Sequence, residues 1–246
     1  MAHGAGARRA TATSGTRPGQ LLMPPRFVPL GDQAALASFE DEATAARFAQ
    51  TVSQAAPSWL VDVVPAYASV AVFFDPDRID MLRAIDELSA LAAAPVVPTV
   101  VSAGRSHIIP CCYAMGLDLA RVAEHSGLST EQIIRLHAET EYHVFAIGFC
   151  PGFPYLGYLP DALAGVGRLP APRLRVEAGS VGLTGRQTGI YTEPRPGGWN
   201  IVGRVPLELV SVEDNYFPLR TGDRVRFQPI DATTFHQLQG QRLAVR

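Results

Sequence analysis

The sequence predicts an α+β protein in two parts, an α/β sandwich followed by a β-barrel with a short pair of helices inserted before it. Three observations predict it. Between Phe27 and Leu91, short apolar runs alternate with two helix-periodic segments in the order ββαββα. From Tyr142 onward, strand-like runs follow one another at close spacing, with turn residues and no helical pattern between them. Between these regions, Gly127 and Ser129 punctuate two short helical stretches.

Taken in order, residues 1–25 are rich in Ala, Gly, Thr, Arg and Pro and read as a disordered tail. Phe27 to Leu30 and Ala34 to Phe39 read as strands around a Gly31-Asp32 turn. Asp41 to Ala55 reads as a helix with Ala45, Phe48, Ala49 and Val52 on its buried face, stopped by Pro57. Trp59 to Val64 and Ser69 to Phe74 are strands. The Asp75-Pro-Asp turn offers a cap for a helix from Ile79 to Leu91, with Ile79, Leu82, Ile85 or Ala84, and Leu88 inward. Residues 94–104 read as a linker, dividing the chain into 26–104 and 105–246. His107 to Cys112 is a strand that closes the first sheet or opens the second part. Leu117 to His125 ends at Gly127, and Ser129 with Gln132 forms a capping box for the next helix. The strands expected beyond are YHVFAIGF, VGLTG, GIYT, NIVGRV, LELV and DRVRFQPI.

Composition narrows the function. A net charge of −2 leaves no strongly basic face for nucleic acid. All 21 basic residues are Arg, which excludes a Schiff-base or P-loop lysine on this chain. Three cysteines, two adjacent, make neither a disulfide framework nor a metal knuckle. No apolar run reaches membrane-spanning length, and Arg8-Arg9 is not followed by the apolar region of a secretion signal. The expectation is a cytoplasmic protein.

Residues 145–205 hold the densest signal: FAIGFCPGFPYLGYLP, PRLRVEAGSVGLTGRQTGIY and PGGWNIVGRVP. Gly and Pro exclude a helix, and the aromatics exclude a disordered linker. Short strands with demanding turns remain, the pattern of a binding surface. These three motifs, with the opening PLGDQAAL and AEHSGLSTEQIIRLHAETEY, resemble the KipI-like family. That family is also known as the B subunit of 5-oxoprolinase or the first subunit of allophanate hydrolase, and it is related to urea-carboxylase carboxyltransferase domains. The resemblance runs from about Phe27 to Ile230. Two stretches depart from the family pattern: Cys112 to Leu117 lacks an acidic residue, and Glu177 stands where the family has Pro.

The resemblance implies a ferredoxin-like first domain and a cyclophilin-like β-barrel second domain. It implies a subunit of an ATP-dependent 5-oxoprolinase, with ATP and Mg at a site on or shared with a KipA-like partner (the C-type subunit), and a third subunit of the LamB/YcsF type. The small-molecule substrate is then a lactam or amide. Two other readings stay open: a protein that inhibits a sensor histidine kinase, and an allophanate or urea carboxyltransferase-related subunit whose biotin carrier lies elsewhere.

The residues carry their own chemistry. Arg173 has the fork that grips a carboxylate or phosphate, or makes a structural ion pair; Arg204 carries the same two readings. Gly179, Ser180 and Gly182 place amides and a hydroxyl in a turn suited to an oxyanion, or simply to a hairpin. Alternation puts Gln187, Gly189 and Tyr191 on one side of a strand and Thr188 on the other. Trp199 is a stacking wall or a plug, and Phe149, Phe153 and Tyr155 line either a groove or a core. Arg173, Ser180 and Gln187 are thus the expected catalytic residues; Gly179, Gly182, Tyr191, Trp199 and Arg204 are the expected substrate contacts. His125, His137 and His143 match no metal-ligand spacing. Asp118, Glu124 and Glu131 read as solvated helix charges, and Cys150 lacks an adjacent base.

Overall fold

The structure is a computed structural model that describes residues 24–94 and 104–244. The tail reading for residues 1–25 falls almost wholly outside them, as does the linker reading at 94–104.

The first sheet is built from β1 (Arg26–Pro29), β2 (Ala34–Ser38), β3 (Leu60–Ala66) and β4 (Ser69–Phe74), in the order β1-β2-β4-β3 with every neighbour antiparallel. Helices α1 (Glu42–Ala55) and α2 (Met81–Ala93) pack on the sheet and on each other. Alternation puts Ala35, Ala37, Val70, Val72 and Phe74 into one apolar core with Phe48, Val52, Ala84 and Leu88 from the helices. The α1 face is the one the sequence predicts, Ala45, Phe48, Ala49 and Val52. In α2 the start shifts: Asp80, not the Asp75 turn, accepts from Arg83 N–H as the cap. The helix therefore begins at Met81, and Leu82 lies outside at 76% exposure.

The second sheet has seven strands in the order β12-β9-β10-β7-β6-β13-β5. These are β5 (Ser106–Cys111), β6 (Glu141–Ile147), β7 (Pro154–Gly157), β9 (Ser180–Thr184), β10 (Gln187–Ile190), β12 (Asn200–Arg204) and β13 (Arg224–Pro229). A two-stranded ribbon of β8 (Arg173–Val176) and β11 (Arg195–Gly197) lies beside it. Helices α3 (Leu119–Ser126) and α4 (Thr130–Glu139) are the inserted pair, and the Ser129–Gln132 capping box forms as expected. His107 to Cys112 opens this sheet rather than closing the first one, as β5 pairs with β13.

The fold expectation needs three corrections. The second sheet is not a closed cyclophilin-like barrel. It is mixed, since β5 runs parallel to β13, and it forms an open half-barrel with β5 and β12 as edges. Among the described residues the one backbone bridge joining those edges is Cys112–Arg204, just past β5, where the chain enters a 3-10 turn at Tyr113–Met115 and stops laddering. The ferredoxin-like name is not supported for the first sheet either. That arrangement runs βαββαβ, whereas here each helix follows a complete hairpin. Finally, LELV forms no strand, and a helix the strand-only reading omitted, α5 (Ala232–Leu238), closes the chain with Asp231 accepting from Thr234 N–H.

Candidate functional site

The Gly/Pro/aromatic stretch folds into two clefts that share Tyr191. The smaller, 230 Å³, is walled by Phe149, Phe153, Tyr155, Tyr191 and Trp199, with Arg168 at its rim. The rings meet edge-to-face: Phe153–Tyr191 centroids lie 5.4 Å apart at 85°, and Phe153–Trp199 5.6 Å at 86°. This arrangement suits the aromatic quadrupole and fixes the walls. The β11 backbone crosses close over Tyr191. A Cβ at Gly197 would lie 2.2 Å from the Tyr191 hydroxyl oxygen, so only glycine fits there. Gly182 packs behind Trp199 and Tyr191 in the β9 ladder. Burial raises the pKa of the Tyr155 and Tyr191 phenols, and the Arg168 guanidinium offsets part of that rise in both, after the Trp199 backbone at Tyr191.

The larger cleft, 380 Å³, holds Gly179 and Arg204 and extends to Phe235 on α5. Arg204 donates from Nε to Ala178 O at 3.0 Å, and its guanidinium lies 5.9 Å from the Phe235 ring centroid. Gly179 has φ +82°, and a Cβ there would strike Val205 O at 2.2 Å. Its N–H donates to Tyr191 O, while Ser180 N–H donates to Glu177 O. These amides hold the turn together, and the Ser180 side chain is buried.

The remaining expected residues lie elsewhere. Arg173 makes two parallel bonds to Asp118, 2.7 and 3.0 Å, and Asp118 also accepts from Ile201 N–H at 2.7 Å. Asp118 is thus not a solvated helix charge: it is 7% exposed and joins α3, β8 and β12. Gln187 begins β10 opposite Gly157 and lies beside Tyr67, where the two sheets meet. Tyr67 stacks there on Phe145 at 5.0 Å, and the Tyr158 hydroxyl donates to Glu42. The structure therefore gathers Tyr191, Trp199 and Gly182 around one cleft and Gly179 and Arg204 around its neighbour, while Arg173 and Gln187 line neither.

Thr188 faces inward, as alternation requires, into a buried chain of hydrogen bonds. Its hydroxyl donates to Gly182 O at 2.9 Å and so accepts from His137 Nε2–H at 3.0 Å; Tyr113 then donates to His137 Nδ1 at 2.7 Å. Burial lowers the His137 pKa to about 3, so the ring is neutral. Asn200 is likewise fully buried, donating to Gly167 O and Leu183 O and accepting from Arg121 Nε–H. Sequence reading misassigned Asp118 and passed over Asn200 and Arg168. For Asn200 a signal existed, an amide placed where the NIVGRV run wants an apolar residue.

Among the described residues no group of His, Cys, Asp and Glu is arranged to hold a metal. The glycine turn that resembled an anion cradle has spent the Gly179 and Ser180 amides on carbonyls. These residues do not fit the triphosphate and Mg of ATP. No helix among the described residues is long and apolar enough to cross a membrane.

Residues 25–218 match the family model described as carboxyltransferase domain, subdomain C and D. The chain is similar to the 5-oxoprolinase B subunit of Bacillus subtilis, 34% identical over 84% of this chain and 93% of that protein. It is 51% identical to the 5-oxoprolinase B subunit of Escherichia coli O157:H7 over 124 residues, 49% of this chain and 56% of that one. Among solved structures it resembles TTHA0988, with TM-score 0.69 and 36% identity, over 81% of this chain but only 40% of that one. The K. lactis urea amidolyase shares the fold at TM-score 0.74 and 17% identity, over 90% of this chain and 16% of that one. The chain belongs to the family of carboxyltransferase C and D subdomains and, within it, to the group of 5-oxoprolinase B subunits.

Proposed function

We propose that this chain is the B-type subunit of an ATP-dependent 5-oxoprolinase, active with a KipA-like partner on 5-oxo-L-proline. The overall reaction converts 5-oxo-L-proline, ATP and water to L-glutamate, ADP and phosphate. The observation that carries the reading is the 230 Å³ aromatic cleft on a chain of this family. Drug-sized sites run to roughly 300–1,000 Å³. A cleft below that range suits a small ring and is too small for a nucleotide. Tyr191 and Trp199 offer that ring flat apolar faces, and the rigid edge-to-face packing keeps the walls apart before the ligand arrives.

A lactam amide is a poor electrophile, and ATP supplies the phosphoryl group that activates its carbonyl. Because the Gly179–Ser180 turn does not form a phosphate cradle among the described residues, that chemistry is assigned to the partner or to a surface shared with it. The part of this chain is to bind and orient the substrate ring and to exclude water around it.

Co-purification with the KipA-like partner, followed by assay of ADP and glutamate with and without 5-oxoproline and the third subunit, tests the proposal. Oxoproline-dependent ADP and glutamate in equal amounts is the expected result. A stable pair with no such turnover, with or without the third subunit, overturns it.

A further inference from the structure

We propose that the aromatic cleft is a carboxylate-selective site for a small flat ring, and that Arg168 is the residue that takes the carboxylate. The proposal borrows the identity of the ligand, 5-oxoproline, from the function proposed above; the chemistry of the site comes from its own residues.

Among the described residues, Arg168 is the only charged one lining the cleft, so an anion entering it meets a cation and no carboxylate. It also differs from its neighbours in sequence. Arg173, Arg175, Arg186 and Arg195 each lie within 4.0 Å of an Asp or Glu oxygen. Among the described residues Arg168 has no such partner, and its fork of donors is left for a ligand. Its backbone is fixed all the same. Leu169 N–H donates to Gly198 O at 2.7 Å, and the Arg168 Cβ lies 3.8 Å from where a Gly198 Cβ would stand. The charge is felt inside the cleft, where it acts on the phenols of both Tyr155 and Tyr191.

A second feature marks the same cleft as built for a ligand. Phe149 lines it with φ +67° and 58% of its surface exposed. The left-handed region is unfavourable for a bulky side chain and persists only where surroundings enforce it. Here the loop is braced by Gly148 N–H to Phe153 O at 3.1 Å, Cys150 N–H to Gly148 O at 2.8 Å and Phe153 N–H to Cys150 O at 3.1 Å. The loop thus holds an exposed aromatic face at a cleft whose Phe153, Tyr191 and Trp199 rings are buried.

The chain has two tryptophans, and Trp59 belongs to the first sheet. In a Trp59→Phe background the indole emission therefore reports on Trp199 alone. Three ligands separate the parts of the proposal: 5-oxoproline, cyclopentanecarboxylate (the acid without the lactam) and 2-pyrrolidinone (the lactam without the acid). Both acids should change the emission saturably, with 2-pyrrolidinone at least about 10-fold weaker. Loss of a charge-assisted contact corresponds to about 10- to 100-fold in affinity. Arg168→Gln should weaken both acids by that factor and leave 2-pyrrolidinone unchanged, and Arg168→Lys should recover part of the loss. Absence of saturable binding by either acid, or equal binding by Arg168→Gln, overturns the proposal. In the complex with the partner, Arg168→Gln should raise KM for 5-oxoproline far more than it lowers kcat. Turnover with an unaltered KM would sink this inference and leave the function standing. Arg168-dependent binding of the acids without any oxoproline hydrolysis would do the reverse.

Discussion

The two sheets are held together by different means. The first has a core of Ala, Val, Leu, Phe, Trp and Ile side chains, with no buried polar residue among those described. The second region contains His107, Asp118, His137, Ser180, Thr188, Asn200 and Asp223, all buried, alongside its apolar core. A hairpin sheet under two helices can be specified by apolar periodicity, because each element presents one continuous face. An open half-barrel with short strands and edges joined by one bridge has irregular loops and inserted helices to fix in place. Directional hydrogen bonds do that where non-directional burial does not. The difference predicts that the first region tolerates apolar exchange and the second does not tolerate loss of its polar links.

The largest expected effect is at His137. His137→Ala removes a ring stacked on Phe227 at 4.8 Å and leaves Tyr113 and Thr188 without their partner. Cavity and unsatisfied groups together should cost about 4 kcal/mol in urea unfolding. The same residue gives the region a pH signature. Its folded pKa, about 3, lies below the ordinary 6.5, so between those values the unfolded chain binds a proton that the folded one refuses. Its contribution is therefore complete above pH 6.5 and is lost as pH falls toward 3, by about 1.4 kcal/mol per unit. Wild type should lose stability more steeply than His137→Asn across that window; parallel curves would refute the assignment.

Next comes Asp118→Ala, which strands Arg173 and the Ile201 amide. Breaking a buried pair costs ~3–5 kcal/mol. Arg173 keeps 28% of its side-chain surface in water, so the expected loss is at the low end, about 3 kcal/mol. Thermal denaturation of Asp118→Ala beside the Arg173→Ala, Asp118→Ala double variant checks this. If the ion pair matters, the double variant is less destabilised than the sum of the singles.

The smallest effect belongs to the first region. Leu88 is fully buried in its core, and Leu88→Met conserves volume. It should cost about 1 kcal/mol. A loss as large as that at Asp118 would erase the contrast between the regions.

Legibility followed the range of the interaction rather than the region. The buried face of α1 and the Ser129–Gln132 cap were readable because periodicity and capping are local. The start of α2 was not, because the Asp75-Pro-Asp turn carries the same cap signature and only Asp80 accepts from the helix. In the site, Tyr191 and Trp199 were legible as aromatics among glycines, and they do line one cleft. Arg173 and Arg168 look alike in the sequence. Only the fold shows that one already has its carboxylate, from Asp118 some 55 positions away.

By itself, then, the sequence determined the first four helices, most of the strands and the family, since those rest on spacings of a few residues and on long motifs in order. Barrel closure, the parallel β5–β13 pairing, and which arginines meet a carboxylate were decided by tertiary structure alone. Each depends on partners such as Asp223 and His107, 116 positions apart, whose meeting no local pattern encodes.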